Sequence, residues 1–514
     1  MDKFIQKYSQ DVIGTLNGWD RIRIRGTLRA LAFVGGMMKF FWHAGVLLRD
    51  FGDFAEQASR RIKDACEEAA QRLNRPIRYL PSASTSKEEL AAEIARADGV
   101  QNGLVALLTC VEPCTSYVVY RDRERQKLVL RPAFRKCLHF YHYWMDPDFG
   151  LMSARVQTWL PFTIHLCLNG RSWLARQMDR LGMAYRRERN CFLWFQDPAG
   201  AQRVMDRLLR LNWPAFLDKM AVRANPGLSD VLHGFPASYY WSADQTEWAS
   251  DVMFRKPSDL AAIYPALARG AITAFDGYDV LRFLGKRPEG NTQANVTSHY
   301  RRRVQGLRVK HTVGDNSVKM YDKQGSVLRV ETTINSAKDM RVYRSPEGDS
   351  DGPKSWHTMR KGVVDLRRRG EVSQRCNERY YEAITAIDTS TPLRDLIAPI
   401  CRPTTLGRQR IRGLRPWADE DLCLLRIINR AEFATSGFRN RDLAGELYPA
   451  TSANDARRSS GRVNYRLRLL RAHHLIKKVP HTHRYQLTSS GRQIITAILQ
   501  AQDVPLSQLL NTAA

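Results

Sequence analysis

"SVKMYDKQGSVLRVETTIN", residues 317–335, reads as a β-hairpin, and the contrast between its two faces decides the sheet it belongs to. Val318 and Met320 alternate with Lys319, Tyr321 and Lys323 on a first strand. Beyond Gln324-Gly325, Leu328, Val330 and Thr332 alternate with Arg329, Glu331 and Thr333 on a second. Strand side chains point to opposite faces with period two, so one face is apolar apart from Asp322 and Thr332. The other gathers Lys319, Tyr321, Lys323, Arg329 and Glu331, and the surrounding cations keep its lone carboxylate ionised. Such a face is either simply solvated or turned toward a metal ion and a nucleic-acid strand.

The rest of the chain favours a polyanionic partner. Its 514 residues exceed one hydrophobic core, so several domains are expected, and 43% hydrophobic residues suffice to fold them. A formal net charge of +28 is extreme for an enzyme of small metabolites and points to nucleic acid. No apolar run approaches the roughly 18–20 residues that span a bilayer. The start, MDKFIQKYSQDVIG, lacks the layout of a signal peptide, so a cytoplasmic protein without a membrane partner is expected. Nine scattered cysteines fit reduced, packed thiols. Cys110 and Cys114 flank Glu112, but no second ligand pair at zinc-finger spacing follows. No GxxxxGK[ST] loop is present, so no nucleotide cofactor is expected, and the serine-hydrolase elbow is missing too.

Periodicity divides the chain into α/β and α+β units. Residues 1–225 alternate strand-like runs, such as WDRIRIRG with Ile22 and Ile24 on one face, with helical ones, such as the stripe at 51, 54, 58, 62 and 66. They predict an N-terminal mixed α/β domain. Residues 226–345, containing the hairpin, predict a central α+β unit with an antiparallel sheet, and 346–400 an exposed loop followed by a long basic helix. No repeat at solenoid or propeller period is visible.

Residues 401–514 form the last unit, with 19 Lys and Arg against 8 Asp and Glu. Within it, "YRLRLLRAHHLIKKV" followed by "HRYQLTSSGRQ" orders a helix, a polar turn, an alternating strand and a closing helix. Over residues 438–499 this resembles the winged-helix DNA-binding modules of bacterial regulators. The resemblance implies a recognition helix held by Val463, Leu467, Leu470 and Leu475. Arg457, Arg458, Arg462, Arg466 and Arg468, with Lys477, Lys478 and Arg484 of the wing, then meet phosphates or base edges of duplex DNA. "HTH" at 481–483 looks superficially like a His-hydrophobic-His metal motif but is read as wing residues.

The hairpin is similar to the strand pair of rolling-circle replication initiators of plasmids and filamentous phages, in which a YDK segment precedes an LR-hydrophobic-E strand. That resemblance implies a metal-assisted tyrosine that nicks DNA, with Mg²⁺ or Mn²⁺ as cofactor. Glu331 takes the place of the metal carboxylate, and Lys323 of the YDK segment joins the catalytic set. A second carboxylate comes from "YYWSADQTEWASDVMF", where Asp244, Glu247 and Asp251 are available and Asp251 is preferred. The nucleophile is sought downstream, at Tyr380 or Tyr381. Histidines here, His299 and His311, are single rather than paired.

Other readings stay open. Asp20, Glu112 and Asp146 or Asp148 are separated acids of the kind that converge in two-metal nucleases and transposases. His139 and His142, three apart, cannot share one face of a strand, and the aromatics around them fill a core or stack on single-stranded bases. A non-enzymatic transcription or replication-control factor and a structured-RNA binder account for the charge as well. The expectation is thus a DNA-binding protein of a plasmid or mobile element, with single-strand contacts and RNA as further possibilities.

Overall fold

The computed structural model describes residues 1–286, 296–303, 306–338, 340–346, 352–386, 393–407, 409–430, 433, 437–449, 452–479 and 482–502. The chain is mixed α/β and organised around one large sheet. In chain order the strands are β1 (Val12–Leu28), β2 (Ile77–Tyr79), β3 (Gly103–Asp122), β4 (Lys127–Asp146), β5 (Gly150–Gln157), β6 (Ile164–Asn169), β7 (Tyr185–Glu188) and β8 (Cys191–Phe195). They continue with β9 (Tyr239–Phe254), β10 (Val296–Arg303), β11 (Gly306–Val313), β12 (Asn316–Lys323), β13 (Val327–Ile334), β14 (Arg341–Arg344) and β15 (Ser355–Thr358). Eleven of them join in the order β10-β11-β12-β13-β9-β1-β6-β5-β4-β3-β2. Among the described residues only the β2–β3 pairing of this sheet is parallel.

The boundary expected at residue 225 is therefore no boundary. β1 and β9, on either side of it, are paired along almost their whole length at the centre of the sheet. From this seam each half reads outward in the same sequence, β1-β6-β5-β4-β3 on one side and β9-β13-β12-β11-β10 on the other. Each first strand is followed by a helix (Phe51–Arg72 and Pro257–Thr273), and each returning strand by another (Gly170–Arg180, Leu366–Thr385). Trp19 and Trp248 face each other across the seam, edge to face at 4.8 Å. Gly170 lets its helix approach the Trp19 carbonyl, where an added Cβ would lie 2.3 Å from the oxygen. Gly370 does the same over Trp248, where a Cβ would lie 2.7 Å from the ring. The halves thus repeat a topology, not a residue pattern.

The hairpin forms as its alternation demands. Lys319 pairs with Glu331 and Tyr321 with Arg329, and the turn is closed by Gln324 and Gly325 at positive φ. Val318, Met320, Leu328 and Val330 turn into a core completed by the helices Pro257–Thr273, Gly277–Phe283 and Leu366–Thr385. At roughly 1.5–3 kcal/mol per fully buried aliphatic side chain, these four residues go far to fix the register. The basic helix expected after residue 345 belongs to this layer rather than to a separate exposed unit, because its Leu366, Cys376, Tyr380, Tyr381 and Ile384 are buried.

The C-terminal unit has its own core. Helices Leu393–Cys401, Asp419–Ile428, Asn440–Leu447, Ala453–Ala472 and Ser489–Gln502 surround a small sheet of Phe438–Arg439, Arg484–Leu487 and Ile476–Lys478. The long helix is capped by Ser452, whose hydroxyl accepts the Asp455 N–H. Val463, Leu467, Leu470 and Leu475 are all buried. Among the described residues no helix is long and apolar enough to cross a membrane.

Candidate active site

The polar face of the hairpin lies near the middle of the sheet, and neighbouring strands bring further acids to it. Glu331 on β13 sits opposite Ala249 on β9, two residues from Glu247 on the same face. Across the seam, Trp19 pairs with Trp248 and Arg21 with Glu247, so Asp20 is the extra residue of a β-bulge. A bulge re-aims one side chain, and this one turns Asp20 toward Glu247. Asp20, Glu247 and Glu331 each offer a carboxylate oxygen, all within 4.8 Å of one another. They line a cleft of about 190 Å³ with Tyr321, Lys319, Lys323, Arg21, Arg308 and Asn190. Three hard oxygen donors at this spacing suit a divalent ion of the magnesium or manganese kind.

Polar contacts hold the cleft in shape. The Tyr321 hydroxyl donates to Glu331 Oε2 at 2.7 Å, and the Lys319 ammonium to Glu331 Oε1, also at 2.7 Å. Lys319 Nζ also lies 3.8 Å from Glu247. Asn190 Nδ2 donates to both oxygens of Asp20 at 3.0 Å. Burial alone would raise the Glu331 pKa, but Lys319, the Tyr321 hydrogen bond and Arg329 outweigh it and hold the carboxyl at about 2. Glu247 goes the other way, raised by burial and then by the Glu331 charge. Burial and the same charge push the Tyr321 phenol well above its usual value. Burial and Arg329 lower the Lys323 ammonium.

These opposed shifts give the cleft a pH response. A divalent ion needs Glu247 ionised, and Glu247 is the acid whose pKa burial and Glu331 raise. Mn²⁺ affinity, followed by calorimetry, is expected to fall as pH drops from about 8 to about 5. Glu247→Gln is expected to bind more weakly throughout and to flatten that dependence.

Of the residues expected here, Glu331 and Lys323 lie in the cleft, but the preferred second carboxylate does not. Asp251 is fully buried beneath it, gripped by Arg329 Nε at 2.6 Å and Nη2 at 2.8 Å and by Arg171 at 3.2 Å. No oxygen is left facing the cleft, and Glu247 takes the role assigned to Asp251. Asp244 pairs instead with Arg25 at 2.9 Å.

Tyr380 and Tyr381 are both fully buried. Tyr381 donates to the Ser250 and Leu328 carbonyls, and the Tyr380 hydroxyl lies 3.2 Å from His311 Nε2. Neither can meet a phosphodiester. The tyrosine beside the acids is Tyr321, which lay in the hairpin itself.

The separated acids do not converge either. Glu112 is engaged by Tyr141, Lys87 and Arg155. Asp146 accepts the backbone N–H groups of its own turn, and Asp148 pairs with Arg180. His139 is lowered to about 4 by burial and Arg155, while His142 stacks on Trp144. Larger hollows, of about 860 Å³ along Ala184–Arg189 and about 610 Å³ beside His142, bring no acid cluster together among the described residues.

In the C-terminal unit Arg457, Arg458, Arg462, Arg468, Lys477 and Lys478 are exposed. Arg466 is not: it is buried against Asp421 and Glu420, each at 2.6 Å, because position 466 shares the inward stripe of Val463 and Leu470. Arg484 is half-buried and donates to the Gly437 carbonyl. His481 of the HTH stretch lies outside the described residues.

No protein-family model, curated protein or solved structure matches the chain.

Proposed function

We propose that this protein nicks and rejoins DNA through a covalent phosphotyrosine, as an initiator of replication or transposition of a plasmid or mobile element, in the cytoplasm. One observation carries the reading: a tyrosine hydroxyl 2.7 Å from one of three clustered carboxylates, in a cleft with Lys319 and Lys323. Asp20, Glu247 and Glu331 would hold Mg²⁺ or Mn²⁺, which when bound polarises the scissile phosphate. Tyr321 is the nucleophile. Ionised to the phenolate, with its proton released to solvent, its oxygen attacks phosphorus, the bond to the leaving sugar oxygen breaks, and that oxygen takes a proton. Lys323, whose lowered pKa makes it a better acid, is the donor within the cleft. Rejoining is the reverse displacement.

The resemblance of residues 317–335 to rolling-circle initiators agrees with this chemistry, with Tyr321 in place of a downstream tyrosine. The C-terminal unit is the duplex reader, a winged helix whose long helix presents Arg457, Arg458, Arg462 and Arg468 to the major groove. Each phosphate contact removed should lower the salt slope of binding by about one. Arg457→Ala and Arg462→Ala are therefore expected to weaken duplex binding and flatten its salt dependence. Arg466→Ala should act first on stability.

Incubation with supercoiled or single-stranded DNA and Mn²⁺ tests the chemistry. The expected product is a nicked strand with protein attached through denaturation, absent when the metal is chelated. If no DNA yields an adduct, the enzymatic reading falls. What remains is a duplex-binding control factor, the reading favoured by Lys319, whose ammonium pairs with Glu331 and approaches Glu247.

A further inference from the structure

The strand that carries Glu331 leads within a few residues into β14 and β15, a two-stranded hairpin with a sheet of its own. Its inner face is anchored. Val342, Met340 and Met359 pack with Ile334 and Ala337 from the end of β13, and the Met359 N–H donates to the Met340 carbonyl at 2.8 Å.

Its outer face is unusual. Tyr343 and Trp356 are direct cross-strand partners, 57% and 58% exposed, with ring centroids 5.7 Å apart. Phe33, Trp42, Phe134 and Trp417 are also largely exposed, but among the described residues each stands without a ring neighbour. Leaving two large rings side by side in water forgoes the burial that makes aromatics valuable. A partner with flat faces recovers it.

The surroundings say which. Lys338, Arg341, Lys354 and Lys361 are exposed on the segments that build and flank the hairpin. The same stretch of sequence also carries Asp339, Glu347, Asp349 and Asp351, which lie outside the described residues. Exposed cations around paired rings fit a phosphate chain carrying bases, and stacking needs bases whose faces are free.

We infer that Tyr343 and Trp356 form a stacking platform for unpaired bases of single-stranded DNA, with Lys338, Arg341 and Lys354 holding the adjoining phosphates. The platform rests on the nucleic-acid reading above but not on the cleavage chemistry. It selects an opened strand over a duplex.

The test uses the full chain with metal chelated, so that cleavage plays no part. Binding of a fluorescent thymidine oligomer of about 20 nucleotides is compared with that of an abasic strand of equal phosphate number. The wild-type chain is expected to prefer the base-bearing strand by about tenfold or more. Tyr343→Ala with Trp356→Ala should erase that preference, and Tyr343→Phe and Trp356→Phe should keep it. Both side chains are exposed, so an unchanged circular dichroism spectrum and thermal midpoint are expected of every variant. If the double alanine variant keeps the preference, or the wild type has none, the platform is refuted while the cleavage site stands. If the double variant converts a dimer into a monomer in sedimentation and leaves the preference untouched, the face joins two copies of the chain and the inference is overturned. If the chain binds no DNA of any form, the proposed function falls with it.

Discussion

Tyr321→Phe is expected to abolish the covalent protein–DNA adduct, with strand cleavage falling on the order of 10³-fold or more. The substitution removes one oxygen and leaves the ring, so the hairpin register and the Lys319–Glu331 pair at 2.7 Å should persist. Mn²⁺ binding should therefore survive in the variant that has lost the adduct. That combination separates a nucleophile from a metal ligand. Glu331→Gln predicts the opposite pattern, with weakened Mn²⁺ binding and the hydroxyl still present. In the wild type the phenol is held above its ordinary value by burial and by Glu331, so the reactive phenolate is scarce at neutral pH. Its fraction grows about tenfold per pH unit below that raised pKa, so cleavage should climb with pH until Lys323, the proton donor, gives up its own proton, and level off there. Tyr380→Phe and Tyr381→Phe should cut DNA normally, because both hydroxyls are spent inside the core. Each should cost only about 0.5–1.5 kcal/mol of stability, the usual worth of one hydrogen bond. An adduct that forms undiminished with Phe at position 321 would remove Tyr321 from the mechanism.

The contrast between Tyr321 and the helical tyrosines shows how far residues alone carry such a site. Alternation from Ser317 to Asn335 is local information, and the pairing of Lys319 with Glu331 and Tyr321 with Arg329 follows it. The burial of Tyr380 and Tyr381 was also legible, since Leu366, Arg369, Ser373, Cys376 and Ile384 trace one inward helical stripe that includes them. The same 3.6-residue spacing places Arg466 between Val463 and Leu470, on the inward side of its helix. Asp20 was not legible as Glu247's partner. Its placement depends on a bulge in β1 and on a seam with β9 that joins residues more than 200 positions apart, and neither leaves a local pattern. The doubled topology escaped for a similar reason, because strand order repeats while side chains do not. Asp251 was misread for a physical reason: a carboxylate beside Val252, Met253 and Phe254 marks burial, and a buried acid is normally consumed by a cation rather than left open to a metal.

That cation is Arg329, and Arg329→Met should be the most damaging substitution to the fold. Its guanidinium is wholly buried and serves two acids, Asp251 in a two-pronged contact at 2.6 and 2.8 Å and Asp20 at 3.2 Å, while also donating to the Asn190 carbonyl at 3.0 Å. Burial works against its charge, yet Asp251 and Asp20 together drive its pKa well above the usual value. Methionine fills similar space but strands Asp251 with Arg171 alone and leaves Asp20 with Asn190. Breaking a buried pair in this way costs about 3–5 kcal/mol, a large share of the roughly 5–15 kcal/mol that holds a protein folded. Chemical denaturation at neutral pH should show the loss as a lower midpoint with little change in slope. Two further variants distinguish charge from packing. Arg329→Lys keeps the charge but loses the fork, so it should fall between wild type and methionine. Adding Asp251→Asn to Arg329→Met removes the stranded carboxylate and should recover part of the loss, because the two positions form one network and their effects do not add. An Arg329→Met protein as stable as the wild type would show that the floor of the cleft does not depend on this network, and the fixed placement of Asp20 beside Glu247 would lose its explanation.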